Sequence, residues 1–479
     1  LVALLCSLLS GLAFGLSLPP YNLEFLAWIA LAPLLWASCG RRPSVVAGLG
    51  LLSGVTSAVV LARWHSDTTR LIWAYVPFLW VVLLFAIVAM TATLLRPRLS
   101  PERWVLAVVC TAMTLEWATS WLPMPVNVAL TQYRNLPLIQ LAGITGIWGV
   151  SLLVWLANAT VADALLQGRR NTKSLKIAIP LIAVIMTLGA AGLVHGISGP
   201  LLNVAAIQDY PAGEQNSHGE KAASRADLTN QAVAAKRPAR FVVWSEECLL
   251  HSFHPGNDAD PTRSLARQNQ IVLVSGYIDD TKPKPHNCAA VINVNGEMAG
   301  VFQKKHLYLA ETLTNIPGET RPAVDTGLGR VGAEVCFDSF YTGITRGLAT
   351  SGAQIIALPN YDPPTPYGTL HYLHSAMLPF RAVENGVPFV RSDPSGLSQI
   401  IDSQGRVLTQ GGLYRAEIVS ASVHLGTGRG TLFTKLGDWL AWLCILGCMA
   451  LHVRAFTRSK TPNLTRQMGG DIAGNTNRV

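Results

Sequence analysis

Gly-Arg-Val-Gly-Ala-Glu-Val-Cys-Phe-Asp-Ser-Phe, residues 329–340, carries a short apolar run into a cysteine and then a carboxylate. Val331–Val335 reads as a buried strand by its length and β-branched content, which places Cys336 at a strand end. Two upstream runs finish the same way. Arg-Phe-Val-Val-Trp (240–244) leads into Ser245 and Glu246, and Ala-Ala-Val-Ile-Asn-Val-Asn-Gly-Glu-Met-Ala-Gly-Val-Phe (289–302) leads into Gln303 and Lys304. Strand ends let distant positions converge, and these three side chains divide the work of thiol acyl transfer. A cysteine attacks as thiolate, a form that neighbouring cations favour. A carboxylate takes the thiol proton and returns it to a leaving group, while a fixed ammonium steadies the tetrahedral oxyanion. Taken singly, each has a plainer reading: Cys336 as core packing, Glu246 as a solvated carboxylate, Lys304 as a surface charge.

The surrounding block alternates strand and helix patterns. Residues 201–208 read as a buried strand, a polar, Ala-rich helix is expected at about 219–237, and 271–278 reads as another strand. Asn295-Gly296 signals a two-residue hairpin turn. Residues 355–358 continue the strands, 371–385 has a helix pattern, and a last hairpin runs through 398–408 around Gln404-Gly405. Strands that alternate with helices and mix with hairpins predict a layered α/β domain with a mixed sheet.

The rest of the chain is apolar. Of 479 residues, 50% are apolar and 14% charged, against about 25% charged in soluble chains. Seven apolar stretches precede residue 200, at roughly 1–18, 25–38, 45–62, 72–95, 104–122, 144–166 and 177–194, and an eighth runs about 436–453. Most reach the roughly 17–25 residues that cross a bilayer as a helix. The first stretch lacks the small-residue cleavage site of a signal peptide. Stretch 25–38 is short enough for a buried or re-entrant helix, so loop charge decides the count. With the N-terminus inside, inner loops hold Arg41, Arg42, Arg96, Arg98, Arg103, Arg169, Arg170, Lys173, Lys176, Arg454, Arg458, Lys460 and Arg466. Outer short loops hold only Arg63, Arg70 and Arg134. That asymmetry is the positive-inside pattern, and omitting 25–38 would invert every later loop.

Eight spans are therefore expected. The domains are a transmembrane bundle at 1–196, a catalytic domain at 197–430 facing away from the cytoplasm, a transmembrane helix at 431–457, and a disordered tail at 458–479. The net charge of +9 falls largely in inner loops beside anionic headgroups and requires no nucleic-acid partner. Trp64, Trp121 and Trp439 near span ends read as interfacial anchors. Glu116 lies mid-span, where a carboxylate either serves function or accepts structural hydrogen bonds.

Cys6, Cys39, Cys110, Cys444 and Cys448 belong to apolar segments, where thiols pack as small hydrophobes. Cys248, Cys288 and Cys336 lie in the outward block, where an oxidising compartment threatens free thiols. A catalytic Cys336 must stay unpaired, which leaves Cys248 and Cys288 as a candidate bridge. His371 and His374 share a helix face but lack an evident third ligand. No Cys/His spacing marks a metal site, and no cofactor is expected.

Local context now joins the three strand ends. Trp244-Ser245-Glu246 resembles the Trp-Pro-Glu strand end of the nitrilase, or carbon–nitrogen hydrolase, superfamily. Phe302-Gln303-Lys304-Lys305-His306-Leu307 resembles its Tyr-x-Lys-x-His-Leu segment, and Val335-Cys336-Phe337-Asp338 its Ile-Cys-Tyr-Glu segment. Asn287-Cys288, Arg381-Ala382-Val383-Glu384 and Ser395-Gly396-Leu397-Ser398 are similar to further motifs in order. The membrane part resembles one branch, the apolipoprotein N-acyltransferases, through Leu18-Pro19-Pro20 with residues 26–34, Leu115-Glu116-Trp117, and residues 135–140 with Thr145-Gly146. The resemblance covers about residues 10–450.

It implies an αββα sandwich with a Glu-Lys-Cys triad: Glu246 as base, Lys304 as oxyanion donor, Cys336 as nucleophile. Cys336 would take an acyl chain from the sn-1 ester of a phospholipid as a thioester. The amine of a diacylglyceryl-cysteine lipoprotein would then accept it. The resemblance also implies a multi-pass protein of the bacterial inner membrane, acting as a monomer with its catalytic domain on the periplasmic side. A hydrolase or amidase that uses another acceptor is the alternative, and a non-catalytic scaffold the third. Phe337-Asp338 stands where the family has Tyr-Glu, and Asn360-Tyr361-Asp362-Pro363-Pro364 lacks the family's loop tryptophan. Leu307-Tyr308-Leu309-Ala310-Glu311 brings a glutamate one residue early, and Glu311 is expected as a supporting carboxylate. Asp338, Phe337 and His306 complete the expected supporting set, with Glu247 as the alternative base.

Overall fold

The computed structural model describes residues 1–62, 79–122, 126–168, 173–194, 196–210, 218–249, 260–281, 283–308, 311–363 and 368–457, with Phe253 and Gly256. Arg63, Trp64, Arg70, the start of the 72–95 stretch, Arg169, Arg170 and the tail from 458 lie outside the described residues. Each of the seven stretches expected before residue 200 coincides with a helical segment in its described part, and the eighth with Trp439–Thr457. Four helices, Pro43–Leu61, Ile147–Gln167, Lys173–Val194 and Trp439–Thr457, are long and apolar enough to cross a membrane by length and composition. Small residues let their neighbours approach closely. A Cβ on Gly50 would stand 2.4 Å from Ala86 Cα, and one on Gly54 2.4 Å from Val82 Cα.

The short stretch at 25–38, counted as a span with a buried or re-entrant helix as the alternative, is broken. Glu24–Trp28 forms a 3-10 turn and Ala32–Ser38 a seven-residue helix. At about 1.5 Å per residue, neither piece approaches the ~30 Å hydrocarbon core. Asn158, from the Ile147–Gln167 helix, fills the break. Its Oδ1 accepts from Leu31 N (2.7 Å) and Ala32 N (3.1 Å), and its Nδ2 donates to Ala27 O at 2.8 Å. One side chain thus satisfies the backbone groups that a helix break exposes.

Residues 201–424 form two six-stranded sheets packed face to face. In the first, β1 (Leu201–Asp209), β2 (Phe241–Val243) and β3 (Val272–Asp279) run parallel. β4 (His286–Ile292) and β5 (Met298–Gln303) extend β3 antiparallel, and β12 (Ala416–His424) pairs antiparallel with β1. The second sheet repeats the plan: β7 (Arg330–Ala333), β8 (Ile355–Pro359) and β9 (Phe389–Ser392) are parallel. β6 (Val324–Asp325) flanks β7, while β10 (Gln399–Ile401) and β11 (Val407–Gln410) follow β9, all antiparallel.

Alternation along the strands divides the two faces. Val204, Phe241, Val272 and Val291 join Ile356 and Val390 in the core between the sheets. Ala205, Val242, Leu273 and Ala290 point the other way, under the His218–Ala234 and Pro261–Asn269 helices. The Thr342–Thr350 and Gly368–Asn385 helices accompany the second sheet. The hairpin at 293–297 differs from the two-residue turn expected: Asn293 N donates to Glu297 O and Gly296 N to Asn293 O, with Gly296 at φ +76°. The turn is one step longer, and glycine holds its left-handed position.

Candidate active site

Four side chains from separate segments, Glu246, Asn287, Lys304 and Glu311, meet in one cluster. Lys304 follows β5 directly. Its Nζ lies 2.7 Å from Glu246 Oε1 and 2.7 Å from Glu311 Oε2. Asn287 Nδ2 on β4 donates to Glu246 Oε1 at 2.7 Å and to Glu311 Oε1 at 2.9 Å. Glu311 opens the short Glu311–Thr314 turn and also accepts from Tyr308 N at 2.7 Å. Glu246 reaches this cluster because β2 ends against β3. Trp244 N donates to Val274 O, and a Cβ on Gly276 would stand 2.6 Å from Glu246 Cα. Glu246 N in turn donates to Asn360 O beyond β8, so this corner joins the two sheets.

Cys336 stands after β7 at φ +47°, a strained conformation for a residue with a Cβ. Hydrogen bonds hold the turn: Ser339 Oγ donates to Cys336 O at 2.9 Å and Asp338 N to Val335 O. Asp338 is buried. It accepts from Lys305 N (3.2 Å) and His306 N (2.8 Å), and His306 Nδ1 is 3.0 Å from the same carboxylate. The His306 ring stacks on Tyr341 at 3.7 Å. Phe337 packs among Tyr308, Phe340 and Tyr341. Asp338 therefore fixes the strand end that presents Lys304, and Phe337 fills the space beneath.

Charge in the cluster is unevenly matched. One ammonium faces Glu246, Glu247 and Glu311, whose oxygens lie within 4.8 Å of one another. Burial pushes the Glu246 carboxyl up to about 8, against the pull of Lys304 and with the repulsion of Glu311 and Glu247. Burial would lower the Lys304 ammonium, but Cys336, Glu246 and Glu311 hold it well above its ordinary range. Burial also raises the Cys336 thiol, reinforced by Glu246 and opposed by Lys304. The arrangement keeps a protonated thiol beside a carboxylate that can take its proton and a cation that can receive an oxyanion.

Two sequence expectations change here. Cys248 and Cys288 are both free. Cys248 Sγ lies 3.2 Å from Ser275 Oγ, and Cys288 stands opposite Tyr277 in the β3–β4 register. His371 and His374 do not lack company. Asp362, His371 and Asp393 form a group whose ligand-type atoms lie within 4.8 Å of one another. Arg391 already sits among them, with Nη2 bonded to Asp362 and, at 2.9 Å, to Asp393. Any metal ion would have to displace this guanidinium.

Glu116 accepts from Ser151 Oγ (2.7 Å), Trp155 Nε1 (2.6 Å), Asn127 Nδ2 (3.3 Å) and Val128 N (3.4 Å). Four donors make it a structural hub. Trp121 is exposed, while Trp439 Nε1 donates to Ile144 O.

Two comparisons bear on this site. Residues 203–431, which hold Glu246, Lys304, Glu311 and Cys336, match the carbon-nitrogen hydrolase family. Residues 10–160 match the apolipoprotein N-acyltransferase N-terminal domain. The chain belongs to the apolipoprotein N-acyltransferase family.

Other members of the family align end to end with the chain. An apolipoprotein N-acyltransferase of Geobacter metallireducens is 29% identical over 502 residues, covering 95% of each chain. One of a Nostoc species is 25% identical over 492 residues, covering 90% of this chain and 95% of that one. Among solved structures, a carbon-nitrogen hydrolase of Helicobacter pylori aligns with a TM-score of 0.41 and 20% identity, covering 47% of this chain and 89% of that one. As an apolipoprotein N-acyltransferase family member, the chain carries its apolar helices and a carbon-nitrogen hydrolase domain in one polypeptide. Sequence reasoning passed over Asp362, Arg391 and Asp393. The available signal was Asp362, an acidic residue just past a strand end in the loop that departs from the family pattern.

Proposed function

We propose that this protein N-acylates lipoproteins, moving an acyl chain from a membrane phospholipid through a thioester on Cys336. The observation that carries the reading is the Glu246–Lys304–Glu311 cluster beside Cys336, in a carbon-nitrogen hydrolase domain flanked on both sides by apolar helices. In the first step Cys336 Sγ attacks the ester carbonyl. The C–S bond forms, the ester C–O bond breaks, and the thiol proton passes through Glu246 to the departing lysophospholipid oxygen. Lys304 faces the oxyanion that forms between these events. In the second step the α-amine of a diacylglyceryl-cysteine attacks the thioester. The C–N bond forms, the C–S bond breaks, and the amine's proton returns through Glu246 to the thiolate.

Both substrates are lipid-anchored, so a site held at the bilayer meets them at high local concentration. The charge distribution of the loops supports a catalytic domain outside the cytoplasm, in a bacterial inner membrane. Purified protein in detergent, given labelled phospholipid and a synthetic diacylated lipopeptide, tests the reading. We expect an acyl-thioester that disappears in Cys336→Ala, followed by label on the peptide amine. Free fatty acid without labelled peptide would point to a hydrolase instead, and no thioester at all would sink both enzymatic readings.

A further inference from the structure

His374 of the Gly368–Asn385 helix reaches the backbone of the Cys336 turn. Its Nδ1 is 2.8 Å from Asp362 Oδ1, and its Nε2 lies 2.8 Å from Ser339 Oγ and 3.2 Å from Cys336 O. The partners fix the protons. Asp362 presents a carboxylate oxygen, which only accepts. Ser339 spends its single hydroxyl proton on Cys336 O, so toward His374 it accepts as well. Cys336 O is a carbonyl. A ring that meets acceptors at both nitrogens carries a proton on each.

The surroundings accommodate that charge. The Phe340 ring stacks on His374 at 4.5 Å with 22° between planes, a face that favours a cation. Asp362 and Asp393 both bind the guanidinium of Arg391, and burial, reinforced by Asp362, pushes the Asp393 carboxyl up against the pull of Arg391. His371, the other titratable group on the helix that faces them, is fully buried with neither ring nitrogen hydrogen-bonded. Burial pushes its imidazole down, against the pull of Asp362 and Asp393. Burial would raise the Asp362 carboxyl, but His374 and Arg391 hold it well below the usual carboxylate range, so the Nδ1 partner is an ionised carboxylate. Across the Cys336 turn, Glu246, Lys304 and Glu311 are the charged groups that the thiol meets.

We infer that His374 is a positioning residue held as an imidazolium by Asp362, clamping the Cys336 carbonyl and the strained turn while cancelling Asp362's field at the thiol. This deepens the function proposed above and rests on Cys336 being its nucleophile. It also assigns a role to the loop at 360–363. Asp362, in the stretch that departs from the family pattern, is the counter-charge of this device.

Iodoacetamide alkylation of the full-length protein in detergent, followed at the Cys336 peptide by mass spectrometry across pH, tests the clamp separately from acyl transfer. His374→Gln keeps a donor but removes the charge, and we expect its alkylation midpoint to rise by about one pH unit. Single-turnover thioester formation should slow at least ~10-fold, with KM for phospholipid within about two-fold of wild type. Asp362→Asn removes the carboxylate whose field the imidazolium cancels, so its midpoint should not rise while its thioester formation slows with the loss of the bond to Nδ1, and it decides the matter if His374→Gln fails to fold. Ser339→Ala should leave the midpoint in place, because the charge remains. A folded His374→Gln protein with a wild-type profile would overturn the inference, as would an Asp362→Asn midpoint that rises by about one pH unit, or a Ser339→Ala shift equal to that of His374→Gln. A wild type that forms no thioester removes the proposed function, yet the alkylation profiles still decide whether His374 governs the thiol.

Discussion

Lys304 Nζ lies 2.7 Å from Glu246 Oε1, with both side chains sealed from solvent. Breaking a buried pair by removing one partner costs about 3–5 kcal/mol, because the other charge is left uncompensated. Lys304→Met should therefore abolish thioester formation and lower the melting temperature. Without the ammonium, the Glu246 carboxyl rises further above its unfolded value. Its contribution to stability is then present in acid and lost as pH rises, so the melting deficit should be larger at alkaline pH than near pH ~5. Differential scanning fluorimetry in detergent at several pH values reads both effects.

As the proposed base, Glu246 must first lose its own proton, which burial holds up to about 8. Thioester formation in single turnover should climb with pH through this value. Glu246→Gln should remove both the rise and nearly all of the rate, a loss of ~100-fold or more. A rate flat across that range in the wild type would reassign the base, with Glu247 the nearest substitute.

Glu334 sits two residues before the nucleophile and is fully buried, its Oε2 accepting from Thr345 Oγ1 at 2.8 Å and its Oε1 without a partner. Burial pushes this carboxyl up to about 8, with Thr345 and Arg381 pulling it down and Asp338 pushing it up. A folded-state value above the unfolded one stabilises in acid, and that stability is lost as pH rises through about 8. Glu334→Gln does not titrate. Its melting temperature relative to wild type should climb across this window, by the equivalent of at most about 5 kcal/mol.

Gly276 carries no side chain where Ser245 O and Glu246 Cα pass at 2.5 and 2.6 Å from its ideal Cβ position. Gly276→Ala should push the Glu246 segment out of line. Overpacking of this kind costs about 1–3 kcal/mol. The larger effect should be on rate, since ~1 Å of misplacement costs on the order of 100-fold. Thermal melting and single-turnover acylation separate the two.

Glu116→Ala would strand the Ser151, Trp155 and Asn127 donors inside the helical bundle. Each unsatisfied buried donor costs about 1–3 kcal/mol, so the variant should melt well below wild type or fail to fold. Glu116→Gln retains acceptor capacity and should lose less. Where folded protein is recovered, Cys336 alkylation should match wild type, which distinguishes a structural hub from a catalytic group.

The strand ends at Glu246, Lys304 and Cys336 were legible because short apolar runs with β-branched content stop abruptly there, and a sheet brings its strand ends together. Glu311 was legible only through the resemblance of the loop at 307–311 to the family's, where a glutamate stands one residue later. The break at Leu31–Ala32 was not, since its cause is Asn158, 127 residues away in sequence. Nor was the Asp362 cluster, which draws Arg391 from β9, His371 and His374 from a helix, and Asp362 from the loop after β8. Such clusters are assembled by topology, and no local pattern records them. The candidate Cys248–Cys288 bridge rested on compartment chemistry alone. In the fold both thiols sit in the core outside the first sheet, where Cys248 finds Ser275 and Cys288 packs opposite Tyr277.

Glu384 closes the helix that carries His374. It binds the Arg381 guanidinium, and its Oε1 accepts from Ile147 N at 2.8 Å, at the start of the apolar Ile147–Gln167 helix. One carboxylate thus couples the lever behind the nucleophile to an element sized to cross a bilayer. The start of that apolar helix and the Cys336 carbonyl sit at the two ends of one hydrogen-bonded strut, about three helical turns long, and the seat of the thiol is tied to the seat of the helix.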